Sequence, residues 1–224
     1  MSDTDSFIEE VSEEVRRDRL YGYMRKYGWI AVLAILAIVG GAAYNEYSKA
    51  QTLAKAQTAG DAILAALEAD EPEARVAALE EVRGQDITQG AKAVVSLMQA
   101  AEQGASDDAA GSQAALEKIA VDGSLPEIYR QIASFKAASQ SNGSLSVEDR
   151  RIRLEALSAP GTSLRLLATE QLALIDIETA DTDAAIEKLQ DIVVDAEVTA
   201  GLRQRATQLI IALGAEPEVL SGQN

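Results

Sequence analysis

The chain has 224 residues, with 20 Lys and Arg against 36 Asp and Glu, so its formal net charge is −16. Such a charge disfavours nucleic acid and anionic lipid headgroups as partners, because both would repel it. The sequence contains no Cys and no His, which excludes disulfides, thiolate chemistry and the side chain most often used as a base or metal ligand near neutral pH.

Residues 1–26 are interpreted as a leader that carries an amphipathic helix. Ser6 and Glu9 have the spacing of a capping box, and Phe7, Val11 and Val15 recur every four residues, which is typical of an apolar helix stripe. This helix would either dock on the membrane surface or a partner, or serve only as a charged leader that fixes topology. The sequence leaves both roles open.

Residues 27–47 are predicted to form a transmembrane helix, because no charged residue lies between Lys26 and Glu46. The stretch from Tyr27 to Tyr44 would be roughly 26 Å long as a helix, close to the shorter limit for a hydrocarbon core of about 30 Å. Aromatic residues at both ends are typical of the headgroup level. The expected anchor residues are Tyr27, Trp29, Ile30, Val32, Leu33, Ile35, Leu36, Ile38, Val39 and Tyr44.

Two other interpretations of this stretch are less favoured. A buried core helix would need many large apolar residues around it, and the rest of the chain is rich in Ala instead. A cleaved signal peptide could end near Gly41, but the apolar run exceeds a usual signal-peptide core and follows a long leader. We therefore expect a permanent single-pass anchor.

The orientation of the anchor follows from the basic residues beside it. Lys and Arg resist translocation, so the flank that carries more of them stays in the cytoplasm. Only Lys49 and Lys55 follow the span closely. We expect a cytoplasmic N-terminus and a translocated C-terminal part, with the topology determined by Arg16, Arg17, Arg19, Arg25 and Lys26.

Beyond the anchor the pattern is helical throughout, and no stretch alternates with the period of a strand. Residues 48–85 are predicted to form a stalk and a first helix pair, with the stalk helix interrupted or loosened near Gly60. Residues 86–214 follow as a series of helices, with inward residues that include Ile128 and Ile152. Residues 215–224 would be a flexible tail.

Helix pairs in residues 86–214 open near residues 86, 124 and 162, and an unpaired helix opens near residue 198. This spacing of about 36–38 residues is close to the 34-residue unit of tetratricopeptide repeats, so we predict an all-α fold with a tetratricopeptide-like α-solenoid. The expected helix-capping positions are Asp86, Ser106, Ser146, Asp181 and either Thr162 or Ser163.

The sequence gives no sign of a catalytic site. The adjacent carboxylates of Asp107 and Asp108 would point about 100° apart on a helix, so they would not converge on a substrate. A role in stabilising a helix N-terminus is favoured for them instead. Asp181 and Asp183 lack the further ligands of a calcium loop, which favours a capping role. We therefore expect no enzymatic activity, no cofactor and no metal.

A solenoid would offer a concave surface for extended or helical segments of other proteins. The candidates for partner binding are Tyr129, Arg130 and Phe135 on the second leading helix, because aromatic and Arg side chains are favoured as binding anchors. The alternative interpretation places Phe135 in the core and Arg130 on a solvated face.

Several short motifs resemble the YfgM-like family of bacterial single-pass membrane proteins, in particular its alphaproteobacterial members. The motifs are SFIEEV (residues 6–11), VRRDRL (15–20), KYGW (26–29), LPEIYR (125–130), LSAPG (157–161) and GLRQRATQL (201–209).

The resemblance implies an inner-membrane protein with a tetratricopeptide-like periplasmic domain. It also implies association with the Sec translocon, with a membrane-anchored periplasmic chaperone of the prolyl-isomerase type and with exported client proteins. The expected function is that of a non-enzymatic scaffold or chaperone-type interaction protein. The alternative is a structural accessory subunit of another inner-membrane complex, either respiratory or involved in envelope biogenesis.

Overall fold

A computed structural model describes residues 3–106 and 108–217. Within these residues it contains nine helices and no strand, which confirms the all-α prediction for this part of the chain. The chain divides into two compact units, Met1–Ala54 and Lys55–Asn224. The helices are α1 (Asp3–Leu67), α2 (Pro72–Arg83), α3 (Gln89–Ala105), α4 (Ala109–Val121), α5 (Glu127–Ser139), α6 (Val147–Ser158), α7 (Arg165–Glu178), α8 (Thr182–Val194) and α9 (Ala200–Ala212).

Helix α1 differs from the prediction at two points. It begins at Asp3, ahead of the Ser6 capping pattern, and it passes through Gly60 without the expected interruption. A glycine inside a helix costs only about 1 kcal/mol relative to alanine. Burial of Ala59 and Ala66 against α2 and α3 offsets that cost. The helix therefore continues through Gly60 because of tertiary packing.

Side-chain caps define the starts of five helices in the second unit. In each, a side-chain oxygen accepts a hydrogen bond from a backbone N–H three residues later, satisfying a group that the helix leaves unpaired. The capping residues are Thr88, Asp108, Ser146, Asp181 and Thr199. The predictions for Ser146 and Asp181 are confirmed.

Three predicted helix starts are wrong by two or three residues. Thr88 caps α3 in place of Asp86, and Asp108 caps α4 in place of Ser106, because α3 continues through Gly104 to Ala105. Helix α7 begins at Arg165 without a side-chain cap, after Thr162 and Ser163 have formed a turn. The end of α9 is as predicted, with Gly214 in the left-handed region at φ +86°.

The core of the second unit is rich in alanine. Among the described residues of this unit, nine alanines have no exposed surface: Ala93, Ala100, Ala133, Ala137, Ala138, Ala168, Ala173, Ala185 and Ala206. A methyl group lets helix backbones approach closely, and each helix from α2 onward packs on the next one along the chain. Helix α3 also contacts α5. Four apolar clusters follow one another along the unit.

Two predicted core residues lie on the surface instead. Ile128 is 39% exposed and Ile152 is 54% exposed. Helix α5 turns Ala133 and Ala137 inward, and α6 turns Leu154 inward. At about 100° per residue, Ile128 and Ile152 are then rotated well away from the buried faces. Residues 218–224 of the predicted tail lie outside the part of the chain that the structure describes.

The apolar cluster of α7, α8 and α9 generates a stability prediction. Leu189 is wholly buried in it, whereas Ile211 is 59% exposed. We expect Leu189→Ala to lower the free energy of unfolding by about 2–5 kcal/mol, through lost burial and a residual cavity. Ile211→Ala should change it by less than about 0.5 kcal/mol. Urea unfolding of the full-length protein in detergent, followed by circular dichroism, measures both; equal stability of the two variants would contradict this core.

Candidate functional site

The predicted anchor residues form an exposed apolar surface on α1. From Tyr27 to Tyr44 their exposed fractions run from 48% to 75%, so they are not core residues of the described chain. Among the described residues, one helical stretch, Met24–Leu67, is long and apolar enough to cross a membrane. The interpretation of this stretch as a buried core helix is therefore wrong.

The residues predicted to determine topology precede this apolar surface on the same helix. Arg25 and Lys26 are exposed, and the Lys26 ammonium lies 5.7 Å from the centre of the Tyr27 ring. Arg16, Arg17 and Arg19 belong to the helical backbone of α1, and their side chains lie outside the described part of the structure.

A groove of about 700 Å³ lies among α5, α7 and α9 of the second unit, and we call it the apolar groove. Helices α7 and α9 each contribute residues at positions i, i+3, i+4 and i+7 or close to them, which is the spacing of one helix face. Helix α5 contributes a single aromatic ring. The lining residues are Phe135 of α5, Leu167, Glu170, Gln171 and Leu174 of α7, and Arg205, Gln208, Leu209 and Ala212 of α9.

One ion pair lies in the apolar groove, where Gln171 and Gln208 are the other polar lining residues. The Arg205 Nε and Nη2 atoms donate to the two carboxylate oxygens of Glu170, each at 2.7 Å. The Glu170 side chain is only 8% exposed, whereas that of Arg205 is 52% exposed. The hydrogen bond with Glu170 raises the pKa of Arg205. The groove therefore presents an internally neutralised pair beside apolar side chains.

The structure separates the three predicted partner-binding residues. Phe135 lines the apolar groove and also packs on the core cluster of α5, α6 and α7. Its contact with the core agrees with the alternative interpretation, and its role in partner binding stays a prediction. Tyr129 packs on a different cluster, with its hydroxyl close to the backbone of Gly90. Arg130 is half-buried, and its Nε atom is shielded from water without a hydrogen-bond partner. Neither Tyr129 nor Arg130 lines the groove.

Sequence reasoning missed Glu170 and Arg205. Their signal was present as two opposite charges 35 residues apart, close to the predicted repeat period. The chain has many other Arg and carboxylate residues, so this pair could be recognised only by knowing which helices face each other.

A second, larger groove of about 1020 Å³ lies on α2, α3 and α4, and its lining mixes charged, neutral polar and apolar residues. Glu80 pairs there with Arg83 and accepts a hydrogen bond from Gln99. Hydrogen bonds from Arg83 and then Gln99 lower the pKa of Glu80 to about 2. Glu80 is therefore ionised at neutral pH and has no proton to donate as a general acid. The apolar groove is the better candidate for burying part of another chain.

A buried carboxylate joins α6, α7 and α8. Asp176 is 2% exposed, and its oxygens lie 2.7 Å from Arg151 Nη1 and 2.8 Å from Lys188 Nζ. Burial raises the pKa of Asp176, but the ion pairs with Lys188 and Arg151 together lower it below the usual value of 3.8. This arrangement neutralises a charge inside the second unit, Lys55–Asn224, which we call the helical unit. Asp176 therefore has a structural role.

Within the described residues, no group of three or more carboxylates is placed to hold a metal ion. Comparison of the chain with models of protein families, with curated proteins and with solved structures gives no match.

The Asp176 cluster predicts a pH-dependent effect. Asp176→Asn leaves Arg151 and Lys188 without their counter-charge, so we expect a loss of about 3 kcal/mol in the free energy of unfolding at pH 7. Because the folded pKa is lowered, the stability contributed by Asp176 is present above the unfolded pKa and is lost as the pH falls through the folded value.

The difference between wild type and Asp176→Asn should therefore shrink progressively below about pH 4. Urea unfolding at pH 7 and at a series of values below pH 4 measures it. Glu187→Gln, at an exposed position of α8, is the matched control and should change little. A difference that stays constant down to the acid limit would show that packing, and not charge, is lost in Asp176→Asn.

Proposed function

We propose that this protein is a single-pass membrane protein whose helical unit binds other polypeptides and has no enzymatic activity. The observation that carries the proposal is the exposed apolar surface of Tyr27–Tyr44 on α1. In water, a continuous run of large exposed apolar side chains would drive association, whereas a bilayer covers it. The apolar groove of the second unit offers the surface for a polypeptide partner.

Two ion pairs support a tetratricopeptide-like array in the second unit. Arg153 of α6 binds both carboxylate oxygens of Glu117 on α4, at 2.5 and 3.0 Å, and the residues are 36 positions apart. Arg205 of α9 binds Glu170 of α7, 35 positions apart. Each pair joins helices that would hold equivalent places in successive repeats. Such stacking would place the apolar groove on the face of the leading helices, where repeat proteins bind extended partners.

The basic residues on the N-terminal side of the anchor favour a cytoplasmic N-terminus and a helical unit on the far side of a bacterial inner membrane. The resemblance to the YfgM-like family then indicates the partners. We propose that the helical unit associates with the Sec translocon and a periplasmic chaperone, and that it binds exported proteins. A structural subunit of a respiratory or envelope-building complex would share the anchor and would differ in the proteins it associates with.

Protease added to intact spheroplasts tests the orientation. We expect an external protease to degrade a C-terminal epitope tag and the helical unit, while an N-terminal tag stays protected on a short fragment that contains the anchor. After the membrane is permeabilised, the N-terminal tag should be lost as well. Loss of the N-terminal tag with a protected helical unit in intact spheroplasts would mean the opposite topology and would overturn the export-linked role.

Affinity purification from gently solubilised membranes tests the partners. Wild type should recover translocon subunits and a periplasmic chaperone. Leu174→Asp places a charge in the apolar groove at a residue that is 37% exposed, and it should reduce recovery of the groove-bound partner by about tenfold or more. Ile211→Asp, at a more exposed position that does not line the groove, is the matched control.

Recovery of the subunits of a different inner-membrane complex would favour the accessory-subunit alternative. Equal recovery by Leu174→Asp and wild type would remove the groove from the binding surface.

A further inference from the structure

The position of Arg205 in the apolar groove restricts which side chains a bound polypeptide segment can place there. Its guanidinium reaches from α9 to α7 and is held by two hydrogen bonds to a carboxylate that is itself almost wholly buried. Two parallel bonds fix the orientation of the guanidinium plane, because both must stay in line with Glu170. The half-exposed Arg205 side chain therefore presents its flat surface in a fixed position.

A carboxylate on the incoming segment is a poor match for this site. Glu170 accepts from two of the five guanidinium N–H groups of Arg205, and a carboxylate that displaced it there would leave Glu170 buried without its counter-charge, which is strongly unfavourable. A carboxylate at the remaining N–H groups would lie close to the negative charge of Glu170, which repels it. The surrounding charge acts in the same direction. Residues 45–224 carry 15 basic and 29 acidic side chains, which follows from subtracting the 5 basic and 7 acidic residues of 1–44 from the totals of 20 and 36, so an acidic segment is repelled.

An aromatic ring is the better match. A guanidinium is weakly hydrated on its faces and stacks on aromatic rings, and the ring's negative face attracts the positive charge. Such stacking needs only the solvent-exposed half of the Arg205 side chain and leaves both bonds to Glu170 intact. The neighbouring lining is apolar, with Phe135, Leu174 and Leu209 within the same groove, so aliphatic side chains of the same segment would find contacts beside the ring.

We infer that the apolar groove takes a neutral or basic polypeptide segment that stacks one aromatic side chain on the guanidinium of Arg205 and packs aliphatic side chains on Phe135, Leu174 and Leu209. Arg205 is then the residue that determines specificity for an aromatic side chain. This inference rests on the proposed function, because it names the class of segment that the proposed binding surface accepts.

Fluorescence anisotropy with the full-length protein in detergent tests the inference through four labelled peptides. The reference peptide has one phenylalanine among leucine and alanine residues, with a lysine at each end. The second peptide carries leucine in place of the phenylalanine, and the third carries pentafluorophenylalanine, whose ring has the opposite charge distribution. The fourth keeps the phenylalanine and carries glutamate at both ends.

We expect wild type to bind the phenylalanine peptide about fivefold more tightly than the leucine peptide. The pentafluorophenylalanine peptide should lose that advantage, although its ring is at least as apolar. The glutamate-ended peptide should bind more weakly than the lysine-ended one, with a difference that decreases as salt rises. These comparisons use the unaltered protein, so they do not depend on the folding of a variant.

Arg205→Lys provides the second arm, because lysine keeps the charge and lacks the planar face. The preference of the variant for the phenylalanine peptide over the leucine peptide should fall from about fivefold to less than about twofold, because the flexible ammonium is not held flat against a ring. Arg203→Lys is the matched control, since Arg203 of α9 donates to the Val193 carbonyl and does not line the groove. It should retain the preference for phenylalanine.

Equal affinity of wild type for the phenylalanine, leucine and pentafluorophenylalanine peptides would overturn the inference about Arg205 and leave the proposed binding function standing. Tighter binding of the glutamate-ended peptide would overturn it as well, because Arg205 would then act as an anchor for anions. Absence of binding by all four peptides, with partners still recovered from membranes, would remove the groove as the site and again leave the proposed function standing.

Discussion

Alanine packed between helices is the constraint on which the helical unit depends. Nine alanine side chains without exposed surface allow close approach of the helices that carry them. Each methyl group contributes little buried apolar area, so the unit relies on further contacts that a leucine-rich core would not need. Ion pairs between helices supply these contacts, and several of them involve half-buried or buried charges such as Arg150, Glu170 and Asp176. Such pairs specify which helices meet, since a mispaired helix would bury an uncompensated charge.

The two units differ in where they expose large apolar side chains. Large apolar and aromatic side chains are concentrated on the exposed surface of α1 between Tyr27 and Tyr44, where a bilayer would cover them. The helical unit keeps few such residues on its surface. Phe135, Leu174 and Leu209 come together in the apolar groove. There they form a small apolar patch on a unit whose net charge is negative.

Local signals in the sequence were sufficient for most helices and insufficient for the groove. Ser146 and Asp181 were identified as caps because a cap is decided within three residues of its own position. Asp108 was assigned to a helix N-terminus together with Asp107, but the helix was expected to begin at Ser106, because α3 runs further than Gly104 indicated. Phe135 was identified by residue type alone. Glu170 and Arg205 required knowledge of which helices face each other across 35 residues, and that depends on tertiary packing that the local pattern does not encode.

The proposed anchor and the acidic surface have complementary consequences for the groove. An apolar groove on a neutral or basic unit held near a membrane would be at risk of inserting into the anionic leaflet, whereas a strongly acidic unit is repelled from it. The proposed groove would then remain open to polypeptides although the chain is confined to the bilayer. Confinement also raises the effective concentration of the groove for partners in the same membrane. A single stacked aromatic ring and a few aliphatic contacts would therefore support useful occupancy while still permitting rapid release.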